Sequence, residues 1–225
     1  LISSHFTVRS APHETLAAVG QFEFTSGDET ISIVYEGGPP LAPSEDRTRA
    51  HQGETPVRLR SPAPEDGPAV TALIAACRPL DTNSAYCTLI QCAHFADTCV
   101  AAERDGEIVG WMSAHRPPSA PDQIFVWQAA VHPRARRTGL GGRMLEALMR
   151  RPAAKEARWL TATVTETNAA SWALFTRFAR KYGLPLERAP LFDRVRHFAG
   201  AHDTEWQVTV GPLPALFQTS TKEET

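Results

Sequence analysis

Apolar residues along the chain fall into short runs whose period switches between two and about 3.6 residues, the marks of strand and amphipathic helix. Residues 57–60 (VRLR) alternate as a short strand. After the proline-rich 62–64, Val70, Leu73, Ile74 and Cys77 recur at i, i+3, i+4 and i+7, one face of a helix that Pro79 ends. Asn83 or Ser84 can cap a second helix, in which Tyr86, Leu89, Ile90 and Ala93 repeat that spacing and predict its apolar face. Residues 98–103 and 108–113 are apolar runs on either side of Asp105-Gly106, a pair that predicts a tight hairpin turn.

Residues 123–131 (QIFVWQAAV) have the composition of a central strand, which His132-Pro133 ends. Met144, Leu145, Leu148 and Met149 predict a helix over 140–150, residues 159–164 a strand, and Trp172, Phe175 and Ala179 a helix over 168–182. Two short strands, 192–195 and 205–210, complete the order β-α-α-β-β-β-α-β-α-β-β, an α/β chain with one mixed sheet. That domain is expected over 55–212, followed by a tail, 213–225. The stretch 37–55 (GGPPLAPSEDRTRAHQGET) reads as a linker, so residues 1–54 are expected to form a mostly irregular extension. Within it, 21–24 and 31–35 alternate around Ser26-Gly27-Asp28 and could pair as a hairpin.

The 225 residues carry 23 basic and 25 acidic side chains, a balance that disfavours a general nucleic-acid binder. No apolar run reaches membrane-spanning length, and the first thirty residues lack a charged segment followed by an apolar one, so the sequence reads as cytoplasmic, without membrane association. Cys77, Cys87, Cys92 and Cys99 match neither paired zinc ligands nor a disulfide framework, and no metal site is expected.

The segment with the clearest chemistry is 131–145 (VHPRARRTGLGGRML), a strand running into a basic, glycine-rich turn and then a helix. Unpaired N–H groups at a helix start favour a pyrophosphate. Gly139, Gly141 and Gly142 allow close backbone approach, while Arg134, Arg136, Arg137 and Arg143 offer forked donors to phosphate oxygens. The triphosphatase loop pattern is absent, and so is the acidic residue that a dinucleotide fold requires.

Arg136-x-x-Gly139-x-Gly141 after a strand, with 168–175 (NAASWALF) one strand later, resembles the GCN5-related N-acetyltransferases (GNAT). The resemblance implies the GNAT acyl-CoA N-acyltransferase fold. It also implies acetyl-coenzyme A as co-substrate, its pyrophosphate on this loop and its pantetheine arm between splayed strands 123–131 and 159–164. Val131, Arg136, Arg137, Gly139, Gly141, Gly142, Asn168 and Phe175 are then the expected coenzyme contacts. Five further segments, 79–87 (PLDTNSAYC), 94–99 (HFADTC), 121–128 (PDQIFVWQ), 163–171 (TVTETNAAS) and 202–205 (HDTE), resemble the diaminobutyrate acetyltransferase family of ectoine biosynthesis. This implies acetylation of the γ-amine of L-2,4-diaminobutyrate by a homodimer. Another small amine as acceptor, or a non-catalytic coenzyme-A sensor, is the alternative.

A thioester is attacked by a neutral amine, whereas an aliphatic ammonium titrates near 10.4, so a base is needed. Glu205 and His202 flank the last strand and are the expected catalytic pair, with Asp81 and Glu166 as other candidate bases. Alternation places Glu205, Gln207 and Thr209 on one face of that strand. Asp81 is assigned to a substrate ammonium, Asn83, Ser84 and the start of the second helix to polar contacts that can include the substrate carboxylate, whose donor is left open, and Tyr86 and Trp127 to the pocket wall, Trp127 through cation–π attraction. Where many relatives have a tyrosine to protonate the leaving thiolate this chain has Phe175; Tyr86 and Tyr182 are the possible substitutes, or water. Acyl-cysteine chemistry is not expected, because no histidine is placed locally to activate Cys87, Cys92 or Cys99.

Overall fold

The computed structural model describes residues 19–26, 29–36, 55–78, 80, 82–214 and 217, in two units, 1–53 and 54–225. In the first, β1 (Val19–Ser26) pairs antiparallel with β2 (Glu29–Glu36), from Val19 opposite Glu36 to Ser26 opposite Glu29. These strands fall where the alternation allowed a hairpin; the linker stretch up to Glu54 lies outside the described residues.

Among its described residues the second unit forms one seven-stranded sheet with four α-helices. Its strands are β3 (Arg58–Arg60), β4 (Val100–Arg104), β5 (Glu107–His115), β6 (Gln123–Val131), β7 (Trp159–Thr165), β8 (Leu186–Phe192) and β9 (Glu205–Val210). They lie in the order β3-β4-β5-β6-β7-β9-β8, antiparallel throughout except for the β6–β7 pair. Asp105 and Gly106, both at positive φ, make the tight turn between β4 and β5 that the Asp-Gly pair predicted. The helices are α1 (Gly67–Ala76), α2 (Ala85–His94), α3 (Leu140–Met149) and α4 (Ala169–Tyr182).

Two cores cover the two sheet faces. On one, Met144, Leu145, Leu148 and Met149 of α3 and Phe175, Phe178 and Ala179 of α4 pack with Ile124, Val126, Leu160, Ala162, Val164, Val208 and Val210. Leu213 and Phe217 are buried in the same cluster, so packing runs past Pro212 into the expected tail. On the other, Val70, Leu73, Ile74 and Cys77 of α1, the predicted face, pack with Cys92, Trp111 and Ala130.

Two elements differ from the periodicity. Helix α2 buries Thr88, Gln91 and Cys92, and turns Tyr86, Leu89 and Ala93 outward. The apolar stripe is therefore not its core face; Leu89 instead lies over Gly67, where a Cβ would stand 2.6 Å from its Cδ2. Strand β8 covers Leu186–Phe192 rather than 192–195, and Val195 is an exposed loop residue. As an edge strand, exposed along nearly its whole length, β8 has no buried face to impose alternation and tolerates Pro190.

The sheet edge is tied to the start of α1 by Arg60. Its guanidinium donates to both Asp66 oxygens, at 2.6 and 2.7 Å, and to Glu103 at 2.6 Å, while Asp66 also accepts from the Ala63 N–H. Arg60 beside Asp66 holds that carboxyl below its ordinary value. Replacing Asp66 by alanine is expected to cost about 2 kcal/mol at pH 7 in urea unfolding, as for charge-assisted hydrogen bonds in partly buried settings. Because the folded-state pKa is depressed, this contribution is present above the unfolded value near 3.9 and fades as pH falls through the folded one. The gap between wild type and Asp66→Ala should accordingly narrow in acid.

Candidate active site

Strands β6 and β7 pair over only four residues, Gln123 to Val126 against Trp159 to Ala162. Beyond these, β6 stays on β5 as far as Val131 and β7 stays on β9 as far as Thr165, so the two part and leave a backbone slot between them. A bulge marks the branching point: Ser113 lies opposite Gln128 and Ala114 opposite Val126, so Trp127 is the extra residue. Such an insertion bends a strand and re-aims its side chains. Before it Ile124 and Val126 face the α3–α4 core; after it Ala129 and Val131 do. Trp127 is 50% exposed, with the His115 ring edge-on to it.

The slot runs toward the basic turn. Gly139 adopts φ +75°, a left-handed conformation that favours glycine, and starts α3. The first bond back into the helix is that of the Arg143 N–H to the Gly139 carbonyl, so the N–H groups of Leu140, Gly141 and Gly142 are the helix's own unsatisfied donors. A Cβ at Gly142 would meet nothing within 4 Å, so the approach is open. These donors and the helix dipole fit a pyrophosphate. The arginines divide. Arg134 is paired with Glu107, the Arg136 Nε donates to the Val131 carbonyl at 3.1 Å, and Arg137 and Arg143 are exposed. Asn168 caps α4 by accepting from the Ser171 N–H at 3.1 Å, whereas Phe175 is buried in the core.

Across the slot, alternation along β7 sends Leu160, Ala162 and Val164 into the α3–α4 core and Thr161, Thr163 and Thr165 to the other face. Register sets Gln207 beside Thr163 and Glu205 beside Thr165, on that second face, as the alternation of the last strand predicted. An open cavity of about 500 Å³ lies there, lined by Thr163, Phe192, His197, Phe198, His202 and Glu205. His202 reaches within 3.8 Å of Glu205, Nε2 to Oε1. Its other nitrogen, Nδ1, is 2.7 Å from the Asp203 carbonyl, which can only accept, so Nδ1 carries a proton. Phe198 lies against the His202 ring, with centroids 4.7 Å apart.

The loop that carries these side chains is closed by its own polar groups. Asp193 accepts from the N–H groups of Val195 and Arg196, which hold its carboxyl below the ordinary range. Arg194 pairs with Asp203 and its N–H donates to the Thr204 hydroxyl.

Among the remaining expected acceptor residues, Asn83 donates from Nδ2 to Gln128 Oε1 at 3.2 Å, tying the start of α2 to the residue after the bulge. Ser84 caps α2 through the Cys87 N–H, and Tyr86 is 71% exposed. Asp81 lies outside the described residues. Glu166 is exposed just past β7, and Tyr182 packs its ring with Phe178 and Phe217 on the α4 side, its hydroxyl buried, away from the cavity. Sequence reasoning missed Gln128, Thr163, Phe192, His197 and Phe198. Alternation along 159–165 could have found Thr163; the loop residues carry no periodic signal.

Burial pushes the Cys92 thiol up to about 11 and Cys99 to about 12, and raises Cys87. None is primed as a thiolate. Among the described residues no group of three or more His, Cys, Asp or Glu stands where it could hold a metal ion, and no helix is long and apolar enough to cross a membrane.

Comparison with known proteins agrees with this architecture. Residues 68–179 match the model of the acetyltransferase (GNAT) family. The L-2,4-diaminobutyric acid acetyltransferase of Methylotuvimicrobium alcaliphilum is 46% identical over 160 residues, 71% of this chain and 93% of the relative. That of Vibrio cholerae is 42% identical over 156 residues, 69% of this chain and 90% of the relative. Among solved structures, the diaminobutyrate acetyltransferase EctA from Paenibacillus lautus, in complex with its substrate L-2,4-diaminobutyric acid and coenzyme A, superposes with TM-score 0.68 at 36% identity, covering 74% of this chain and 98% of that one. The strand order, the parted central strands, the glycine turn and these similarities together establish that the chain belongs to the L-2,4-diaminobutyric acid acetyltransferase family of GNAT enzymes.

Proposed function

We propose that this protein transfers the acetyl group of acetyl-coenzyme A to the γ-amine of L-2,4-diaminobutyrate by direct attack of the amine on the thioester. The observation that supports the reading is the place of the His202–Glu205 pair beside the slot: both line the cavity together with Thr163, the first residue of β7 past its pairing with β6. The start of α3 and the exposed Arg137 and Arg143 hold the coenzyme's phosphates. Backbone groups of β6 from Trp127 to Val131, no longer shared with β7, orient the pantetheine arm.

The acceptor arrives with two ammonium groups, and each eases loss of a proton from the other. The His202 Nε2 lone pair takes the γ-ammonium proton, and the Glu205 carboxylate at 3.8 Å stabilises the imidazolium that forms. Trp127 offers its ring face and Asp81 its carboxylate to the second ammonium, with Asn83, Ser84 and Tyr86 on the helix α2 side of the pocket. With Phe175 buried and Tyr182 across the sheet, the thiolate is protonated by water. Its pKa near 8.5 makes release at pH 7 cost only about 2 kcal/mol relative to the thiol. The same reading includes the cytoplasmic homodimer that the family resemblance implies.

Thiol release from acetyl-coenzyme A is the assay, run with L-2,4-diaminobutyrate beside spermidine, lysine and an aminoglycoside, with the acetylated nitrogen identified by NMR. Turnover confined to diaminobutyrate at its γ-nitrogen is expected. Preference for another amine would contradict the substrate, and binding of coenzyme A with no thiol release from any amine would indicate a sensor. Glu205→Gln and His202→Ala should each lower kcat by about 10²-fold or more while leaving coenzyme A affinity within about twofold.

Direct attack also predicts that Cys87→Ser, Cys92→Ala and Cys99→Ala enzymes keep kcat within a few-fold of wild type. No acetylated protein should appear by mass spectrometry after quenching with acetyl-coenzyme A alone. An acetyl group on any cysteine would contradict it.

A further inference from the structure

Two histidines line the cavity, each with one ring nitrogen engaged by the loop backbone. His197 Nδ1 accepts the Asp193 backbone N–H at 2.7 Å, so this nitrogen holds a lone pair and the ring proton sits on Nε2. Asp193 is itself fixed by accepting from the Val195 and Arg196 N–H groups, and the Phe192 ring stands edge-on to His197. The loop thus sets His197 Nε2 as a donor, whereas His202 donates from Nδ1 to the Asp203 carbonyl and has its Nε2 beside Glu205.

We infer that His197 is a substrate-binding residue, whose Nε2–H receives the α-carboxylate of the acceptor amino acid. The inference rests on the proposed function and deepens it. Among the side chains lining the cavity, Glu205 can only accept when ionised, His202 has its Nε2 beside that carboxylate, the Thr163 hydroxyl serves either way, and Phe192 and Phe198 are apolar. His197 is the lining side chain whose second ring nitrogen is fixed as a donor. An amino acid with a further amine is polar in the matching sense: its carboxylate needs a donor, and its ammonium groups need acceptors. With the carboxylate on His197 and an ammonium toward His202 and Glu205, the molecule has one orientation in the pocket, and the anion is kept off Glu205. A diamine without a carboxylate loses that anchor and can enter either way round.

The test compares L-2,4-diaminobutyrate with 1,3-diaminopropane, the same skeleton without its carboxylate, by calorimetric binding to the full chain in the presence of coenzyme A. It is repeated by kcat/KM with acetyl-coenzyme A. Wild type should favour the amino acid, and His197→Leu should cut that preference by about 10- to 100-fold, the range of a hydrogen bond to a charged group, through KM rather than kcat. His197→Gln, whose amide N–H₂ can stand near the Nε2 position, should keep most of the preference. It also guards against a His197→Leu protein that fails to fold. Equal loss for both ligands, an unchanged ratio in His197→Leu, or a ratio near one in wild type would overturn the inference. Bound diaminobutyrate that is not turned over would contradict the proposed function, with the binding ratio still deciding the role of His197.

Discussion

The structure turns on one piece of backbone geometry: two neighbouring parallel strands that begin paired and then do not. Four residue pairs hold β6 to β7, and past Val126 each strand keeps only its outer neighbour. Backbone N–H and C=O groups in a sheet interior are normally satisfied, so a parted centre is a demand for a ligand with amides of its own. The bulge at Trp127 supplies the bend, and past the paired stretch each strand stays anchored in a core, β6 by Ala130 and β7 by Val164.

Everything chemical is arranged around that opening. At one end the first turn of α3 contributes three helix donors behind a left-handed Gly139, a site for negative charge. On the α2 face the threonines of β7, the last strand and the 193–204 loop build a polar cavity walled by phenylalanines. The loop owes its shape to local capping rather than to a core: Asp193 gathers two backbone N–H groups and Arg194 bridges to Asp203 and Thr204. Its backbone also engages one ring nitrogen of each histidine, the Asp193 N–H on His197 Nδ1 and the Asp203 carbonyl on His202 Nδ1.

The sequence was most legible where burial is one-sided. Residues 140–150 and Val70 to Cys77 carry helix stripes that the structure buries as read, and alternation across 205–210 put Glu205 on the correct face. The glycine turn was legible because its demands are local: a positive φ at Gly139 and room at Gly142. Helix α2 was misleading because its inner face is built from Thr88, Gln91 and Cys92, and β8 because an exposed edge strand obeys no alternation. The Asn83 to Gln128 contact and the loop histidines depend on long-range register or on turn hydrogen bonds, neither of which leaves a periodic trace.

Amide hydrogen exchange along β6 and β7, with and without coenzyme A, tests the parted strands most directly. Amides in the paired stretch Gln123 to Val126 should be protected in both states. Those of Trp127 to Val131 that face the slot should exchange rapidly in the free protein and become protected on binding coenzyme A. Protection of the slot-facing amides before any coenzyme is added, or no change on its addition, would contradict a preformed slot and the reaction built on it.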